Sequence, residues 1–280
     1  MQKLFTKILL PVAFNRNTRW SVEKAVQLAN KFDCDIHLLH VQVPPVTLPM
    51  LYNKLLSGSL AKSSGNDLSQ KMKVLEQQLK PKLKDGLLVT STIVPGHWQS
   101  VLKDMIIAEH INLTVIPRNR RKHSSALIQR VNINRLSQQT NCPVMTVTRG
   151  FNANHLQNIV VPVNGLLPVK KLTIATYLSL ESSGHIYLMS GENQSSADRK
   201  EGYMLKAYQL LSEFGKLNIH FAVQNNYDPA AGTLAYAKNV HADLIVVNPG
   251  QESRLRGWWN KLRGKYLCRE SDIPVMTVSF

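Results

Sequence analysis

The sequence predicts an α/β protein made of two tandem doubly wound domains, each a five-stranded parallel sheet with helices on both faces. Short apolar runs alternate with helical patterns along the whole chain, which is the order of a parallel sheet with crossover helices. A 35-residue stretch also recurs, because residues 113–147 and 244–278 both end in Pro-Val-Met-Thr-Val. With 280 residues, the chain is long enough for two such domains, each with its own core.

The first half contains the strands and helices of one such unit in order. Residues 7–12 form a strand that Pro11 should end, since proline fits poorly inside a central strand. Asn17 or Thr18 can cap the following helix, whose apolar residues recur at helical spacing. The later elements predicted are helices at 67–80 and from 98 onward, and strands at 35–43, 87–94, 112–116 and 143–147.

The second half repeats this order with signals of its own. Its first strand, 159–163, carries Pro162 where the first half has Pro11, and this shared proline favours a duplication. Asp228 followed by Pro229 is a favoured helix start. The further elements predicted are a helix at 169–181 and strands at 185–190, 218–223, 243–247 and 274–278. We therefore expect domains at 1–150 and 158–280, joined by a linker at 151–157.

An insertion at residues 44–66 is the main difference between the halves. Only residues 191–194 correspond to it, and the offset between matching positions falls from 151 at the first strand to 131 at the last. The insertion is rich in turn-forming residues. Two interpretations stay open: a flap that covers the core or the other half, and a gate over a ligand.

Charge is the unusual bulk property of this chain, which carries +16. Residues 1–152 hold 21 Lys and Arg against 8 Asp and Glu, whereas residues 153–280 hold 13 against 10. A basic half can attract nucleic acid, anionic lipid or other phosphate-bearing partners, or it can simply be well solvated. The absence of a long apolar run, of a signal-peptide pattern and of metal or redox spacing among the three cysteines predicts a cytoplasmic protein with reduced thiols.

The run KILLPV at 7–12, the helix after it and the ending NCPVMTV at 141–147 resemble the universal stress protein family. The resemblance extends over nearly the whole chain. It implies a Rossmann-like fold of the adenine nucleotide alpha hydrolase type, a stress-related role and assembly through the last strand. The two PVMTV strands would then pair within the chain as an internal pseudo-dimer, and two chains could associate further as a homodimer.

Nucleotide-binding members of that family carry an acidic residue after the first strand and Gly-x-x-Gly-x9-Gly-Ser/Thr after the fourth. Here the acidic position is Ala13 in the first half and Asn164 in the second. The motif positions, counted back from the last strand, are Pro117, Arg120, Arg130 and Val131, and in the second half Asn248, Gln251, Lys261 and Leu262. Glycines let backbone N–H groups approach phosphate, and proline has no N–H at all. Conventional ATP binding is therefore expected to be lost, and no cofactor is predicted.

Each half also has a distinctive loop before its last helix. The first is basic and could hold phosphate or carboxylate through guanidinium groups, or form a solvated surface; its candidates are Arg118, Arg120, Arg121, Lys122 and Arg130. The second mixes basic and aromatic residues, which suits stacking on a base, contact with anionic lipid, or packing of the tryptophans into the cleft or between domains; its candidates are Arg254, Arg256, Trp258, Trp259 and Lys261.

No pattern of catalytic residues stands out, because Gly-x-Ser-x-Gly, His-Glu-x-x-His and Walker A sequences are all missing. The leading interpretation is a non-enzymatic stress protein that binds a protein partner or a small anionic ligand. Two alternatives remain: a nucleotide-responsive sensor or weak ATPase of the same family, and a protein that associates with nucleic acid or an anionic membrane.

Overall fold

The computed structural model describes residues 3–43, 63–118, 130–164, 167–180, 183–192, 197–214, 217–225, 228–255 and 266–279. Most of the insertion, residues 44–62, lies outside the described residues, so neither interpretation of it is tested.

Ten strands form one continuous sheet in the order β3-β2-β1-β4-β5-β10-β9-β6-β7-β8. Their bounds are β1 Lys7–Pro11, β2 Asp35–Gln42, β3 Val89–Pro95, β4 Leu113–Pro117, β5 Val144–Val147, β6 Asn158–Pro162, β7 His185–Glu192, β8 Asn218–Asn225, β9 Leu244–Val247 and β10 Val275–Thr277. Within each half all pairs are parallel and the strand order is the same. The predicted α/β class with doubly wound parallel strands is confirmed.

Helices connect these strands and cover both faces of the sheet, where two separate apolar cores are buried. Their bounds are α1 Thr18–Phe32, α2 Ser63–Leu79, α3 Trp98–Ala108, α4 Ile133–Thr140, α5 Val169–Leu180, α6 Ala197–Ser212, α7 Pro229–Asn239 and the single turn α8 Leu267–Glu270. The expected start of α7 is confirmed, since the Asp228 carboxylate accepts the N–H groups of Ala230 and Ala231 at 3.1 and 2.9 Å.

The matching prolines Pro11 and Pro162 are the last residues of β1 and β6, as their sequence positions predict. The neighbouring strands β4 and β9 are buried along their whole length and are apolar except for Thr114, as expected for strands covered on both faces. The carboxyl ends of the central strands therefore lie side by side at one edge of each half.

The two halves meet where β5 and β10 pair in an antiparallel register, with Met145 opposite Met276. Side chains reinforce this junction: the Thr146 hydroxyl donates to the Val275 carbonyl at 3.2 Å, and the Ser137 hydroxyl donates to the Thr277 carbonyl at 3.1 Å. Because the pairing is antiparallel, the carboxyl ends of the first-half strands lie at the opposite edge of the sheet from those of the second half.

Candidate functional site

The candidate sites lie where the strand order reverses in each half. In open parallel sheets, ligands bind outside the carboxyl ends of the strands at this switch point. In the first half the switch point lies between β1 and β4, and we call it the first crevice. In the second half it lies between β6 and β9, and we call it the second crevice.

A buried ion pair lies in the second crevice. The Lys171 Nζ atom, on α5, lies 2.6 Å from the Glu252 Oε2 atom and donates to the Pro162 carbonyl oxygen, also at 2.6 Å. The two charged side chains are only 1% and 9% exposed. Burial lowers the pKa of Lys171, and the adjacent Glu252 carboxylate opposes that shift.

The Glu252 carboxylate also binds the backbone where β9 ends. The Asn248 N–H donates to Oε2 at 2.7 Å, and the Asn164 side-chain amide donates to Oε1 at 3.4 Å. Asn248 holds the first motif position, and Asn164 holds the position that is acidic in nucleotide-binding relatives. A carboxylate of the chain itself therefore accepts the backbone N–H at the first motif position.

The loop that carries Glu252 is fixed by neighbours from both halves. Gly250 has φ +108°, a conformation that other residues rarely adopt, and its N–H donates to the Ser253 hydroxyl at 3.1 Å. The Asn134 side-chain amide, from α4 of the first half, donates to the same hydroxyl at 2.7 Å. The Leu267 N–H donates to the Ser253 carbonyl at 2.7 Å. These contacts hold the carboxylate in its place against Lys171.

The first crevice lacks the corresponding residues. Its small pocket is lined by Pro11, Ala13, Asn15, Asn17, Thr18, Ser21 and Pro117. Pro117 occupies the position of Asn248 and has no N–H to offer. The offset that matches Ala25 to Ala175 places Ser21 at the position of Lys171, and the Ser21 hydroxyl donates to the Thr18 carbonyl at 2.9 Å. The position that matches Glu252 is Arg121, which lies outside the described residues.

Basic residues predominate at the carboxyl edge of the first half. Arg16 and Arg19 are exposed at the start of α1, and Arg130 is exposed just before α4. Among the described acidic residues near the strand ends of the first half, Asp67 lies near this carboxyl edge. It lines a groove together with Phe14. The others lie at the opposite, amino edge: Asp33, Asp35, Asp85 and Glu109.

Arg118 lies at the junction of the halves. Its side chain is 7% exposed and its N–H donates to the Val147 carbonyl at 2.7 Å. It lines a groove of about 750 Å³ together with Arg149, Asp243 and Asp272. Arg118 and the exposed Arg130 are the members of the predicted basic cluster that the structure describes.

The other residues predicted from the sequence are either exposed on the surface or lie outside the described residues. Gln251 and Arg254 are exposed on the loop beside Glu252. Seven further candidates lie outside the described residues: Arg120, Arg121, Lys122, Arg256, Trp258, Trp259 and Lys261. Both predicted loop sites therefore remain predictions.

Lys171 and Glu252 were not predicted as site residues from the sequence. The sequence does contain a signal for Lys171. Together with Ile174, Ala175 and Leu178 it has the i, i+3, i+4, i+7 spacing of the buried face of a helix. A lysine on such a face needs a buried anion as its partner. Nothing in the sequence shows that this anion is Glu252, 81 residues away.

Neither thiol nor metal chemistry is evident in the described part of the chain. The three cysteines are buried and unpaired. Burial raises the pKa of the Cys34 and Cys268 thiols to about 12 and that of Cys142 to about 11. No group of three or more His, Cys, Asp or Glu side chains there could hold a metal ion. No described helix combines the length and apolar character needed to cross a bilayer.

The model of the universal stress protein family matches residues 4–148, which is just over half of the chain. The chain belongs to the universal stress protein family, and the resemblance seen in the sequence is confirmed. No curated protein matches the sequence significantly.

Solved structures show the same fold over both halves. A universal stress protein of Archaeoglobus fulgidus superposes with a TM-score of 0.69 at 12% identity, covering 100% of this chain and 99% of its own. A protein of unknown function from Pseudomonas aeruginosa gives 0.60 at 13% identity, covering 98% and 92%. The cytoplasmic domain of a prokaryotic cation chloride cotransporter gives 0.56 at 9% identity, covering 98% and 95%. At these identities the likeness concerns the fold alone.

Proposed function

We propose that this chain is a non-catalytic, cytoplasmic stress protein whose second crevice has lost nucleotide binding and whose first half binds a small anionic ligand or an anionic partner. The observation that carries the proposal is the Glu252 carboxylate, which pairs with Lys171 and accepts the Asn248 N–H.

The ion pair opposes a phosphate in the second crevice for two reasons. The Asn248 N–H and the Lys171 ammonium, the groups best suited to hold an anion, already hold Glu252. The Glu252 carboxylate also offsets the charge of the Lys171 ammonium, so the buried pair presents no net positive charge to attract a phosphate.

The first half supports an anionic ligand by a different route. Pro117 removes one backbone donor, so a phosphate cradle of the family type is incomplete. Arg16 and Arg19 supply side-chain cations instead, at an edge with few described carboxylates. Guanidinium groups bind phosphate and carboxylate by paired hydrogen bonds, so the site would be a side-chain site rather than a backbone site.

Calorimetry on the full chain tests both parts. Titration with ATP and Mg²⁺, and separately with ADP, should give no binding in the micromolar range, and micromolar affinity would contradict the loss of nucleotide binding.

Titration with pyrophosphate should show weak, salt-sensitive binding. The double variant Arg16→Glu/Arg19→Glu should remove it, while Lys103→Glu, a partly exposed site in the middle of α3, should leave it unchanged. Equal effects of the two variants would exclude this location.

A further inference from the structure

The strand β8 is one end of the ten-stranded sheet and is unusual for an end strand. Its eight residues, NIHFAVQN, pair with β7 on one side and with no described strand on the other. Natural proteins protect such edges with lysines, prolines or bulges, because unpaired N–H and C=O groups invite another strand. β8 contains no charged residue and no proline.

Apolar side chains extend from this edge onto the neighbouring helix. Phe221 and Val223, on one face of β8, are 49% and 59% exposed. Leu205 and Tyr208 of α6 are 58% and 41% exposed, and the rings of Tyr208 and Phe221 have their centroids 5.2 Å apart. These four side chains form one surface, which we call the β8 patch.

The equivalent edge of the first half is built differently. The end strand β3 reads VTSTIVP, with three hydroxyl residues in succession and a terminal proline. β3 also lacks charge and Leu88 before it is 62% exposed, but the valine and isoleucine side chains within β3 are buried or half-buried, whereas Phe221 and Val223 within β8 are exposed. Contiguous exposed apolar surface of this kind marks an interaction site.

We propose that the β8 patch is the contact between two copies of this chain, related by a two-fold axis. In this arrangement β8 of one copy pairs antiparallel with β8 of the second, and the two α6 helices lie side by side. A two-fold interface must be complementary to itself. An uncharged strand meets this requirement, because it places no like charges opposite each other across the axis. The lack of charge is important in this chain, since two copies that each carry +16 repel each other over the rest of their surfaces.

The charges around α6 are also complementary to themselves. Lys206 and Glu213 are both exposed and are equally spaced about the point between Gln209 and Leu210. A two-fold axis at that point, with the helices antiparallel, brings Lys206 of each copy next to Glu213 of the other.

The size of the patch sets the expected affinity. A stable interface buries about 800 Å² on each partner, and an aromatic side chain contributes roughly 150–250 Å² when fully buried. Two half-exposed rings, two aliphatic side chains and one strand edge supply part of that area. A reversible dimer with a dissociation constant in the micromolar range is the expected result.

Sedimentation velocity on the full chain, from about 1 to 100 µM, measures this equilibrium. Wild type should pass from monomer to dimer. Val223→Lys adds the charge that natural edges use, and should weaken the dimer at least tenfold. Val74→Lys is the matched control, because Val74 is 43% exposed on α2 of the first half and should leave the dimer unchanged.

Charge reversal tests the two-fold geometry itself. Lys206→Glu and Glu213→Lys should each weaken the dimer about tenfold, since each places like charges together twice per interface. The double variant Lys206→Glu/Glu213→Lys restores opposite charges and should recover most of the wild-type affinity. A wild-type monomer over the whole range, larger open-ended assemblies, a dimer indifferent to Val223→Lys, or a double variant no better than the single variants would each overturn the proposal.

Discussion

The ion pair of the second crevice allows one sharp prediction about stability. Replacing Glu252 with Gln keeps the shape of the side chain but leaves the buried Lys171 ammonium without its counter-charge. Breaking a buried pair by removing one partner costs about 3–5 kcal/mol of unfolding free energy. Lys171→Met should cost a similar amount, because it leaves the Glu252 carboxylate buried with only polar partners.

The double variant Lys171→Met/Glu252→Gln separates pairing from packing. With no charge left to desolvate, its stability should lie within about 2 kcal/mol of wild type, although two single losses of this size would add up to far more. A matched control is Lys71→Met, which breaks the exposed Lys71–Asp67 pair and should change stability by less than about 1 kcal/mol.

The pH dependence of Glu252→Gln supplies an independent check. Without the carboxylate that raises it, the pKa of Lys171 in the folded state falls further below its unfolded value of about 10.4. Between these two pKa values the unfolded chain binds a proton that the folded chain has released, so the stability of the variant increases with pH. Its deficit relative to wild type should therefore narrow as the pH rises from neutral toward 10.

Urea denaturation followed by circular dichroism at several pH values measures all of these quantities. Lys171 and Glu252 are not energetically coupled if Glu252→Gln and Lys171→Met each lower the unfolding free energy by less than about 1 kcal/mol. The same conclusion follows if the two free-energy losses simply add in the double variant.

Two further predictions concern groups outside the crevice. The buried, high-pKa thiols of Cys34, Cys142 and Cys268 should react with a disulfide reagent at pH 8 only after unfolding, and rapid labelling of the native chain would contradict their burial. Gly184→Ala should lower the unfolding free energy by about 1–3 kcal/mol, because its Cβ would lie 2.4 Å from the Gln157 carbonyl oxygen. Gly150→Ala meets nothing within 4 Å and should be nearly neutral; equal melting temperatures for the two variants would refute the steric argument.

The sequence predicted the fold well because its signals are local. Pro11 and Pro162 mark the ends of two central strands, and Asp228 with Pro229 marks a helix start, and the structure has all three where expected. The boundaries moved by a few residues where no such signal exists. The second helix was expected at 67–80 and begins at Ser63, and β8 extends to Asn225 rather than 223.

The site was predicted less completely because its key contact is not local. Asn164 and Asn248 were singled out as crevice positions, and in the structure both donate hydrogen bonds to Glu252. The role of these two residues depends on Lys171, which binds the same carboxylate. Lys171 reaches it because α5 packs against the carboxyl end of β6. Charge composition could not reveal this pair either, since a buried lysine and a buried glutamate cancel in any sum.

The antiparallel pairing of β5 with β10 determines which surfaces of the molecule a ligand or partner can reach together. A chain whose halves were joined in parallel would display both crevices to the same neighbour. Here they point in opposite directions, so a ligand or macromolecule approaching one edge meets only one crevice. Mutations could therefore remodel one crevice without disturbing recognition at the other, and the molecule has two ends that are chemically distinct despite their common plan.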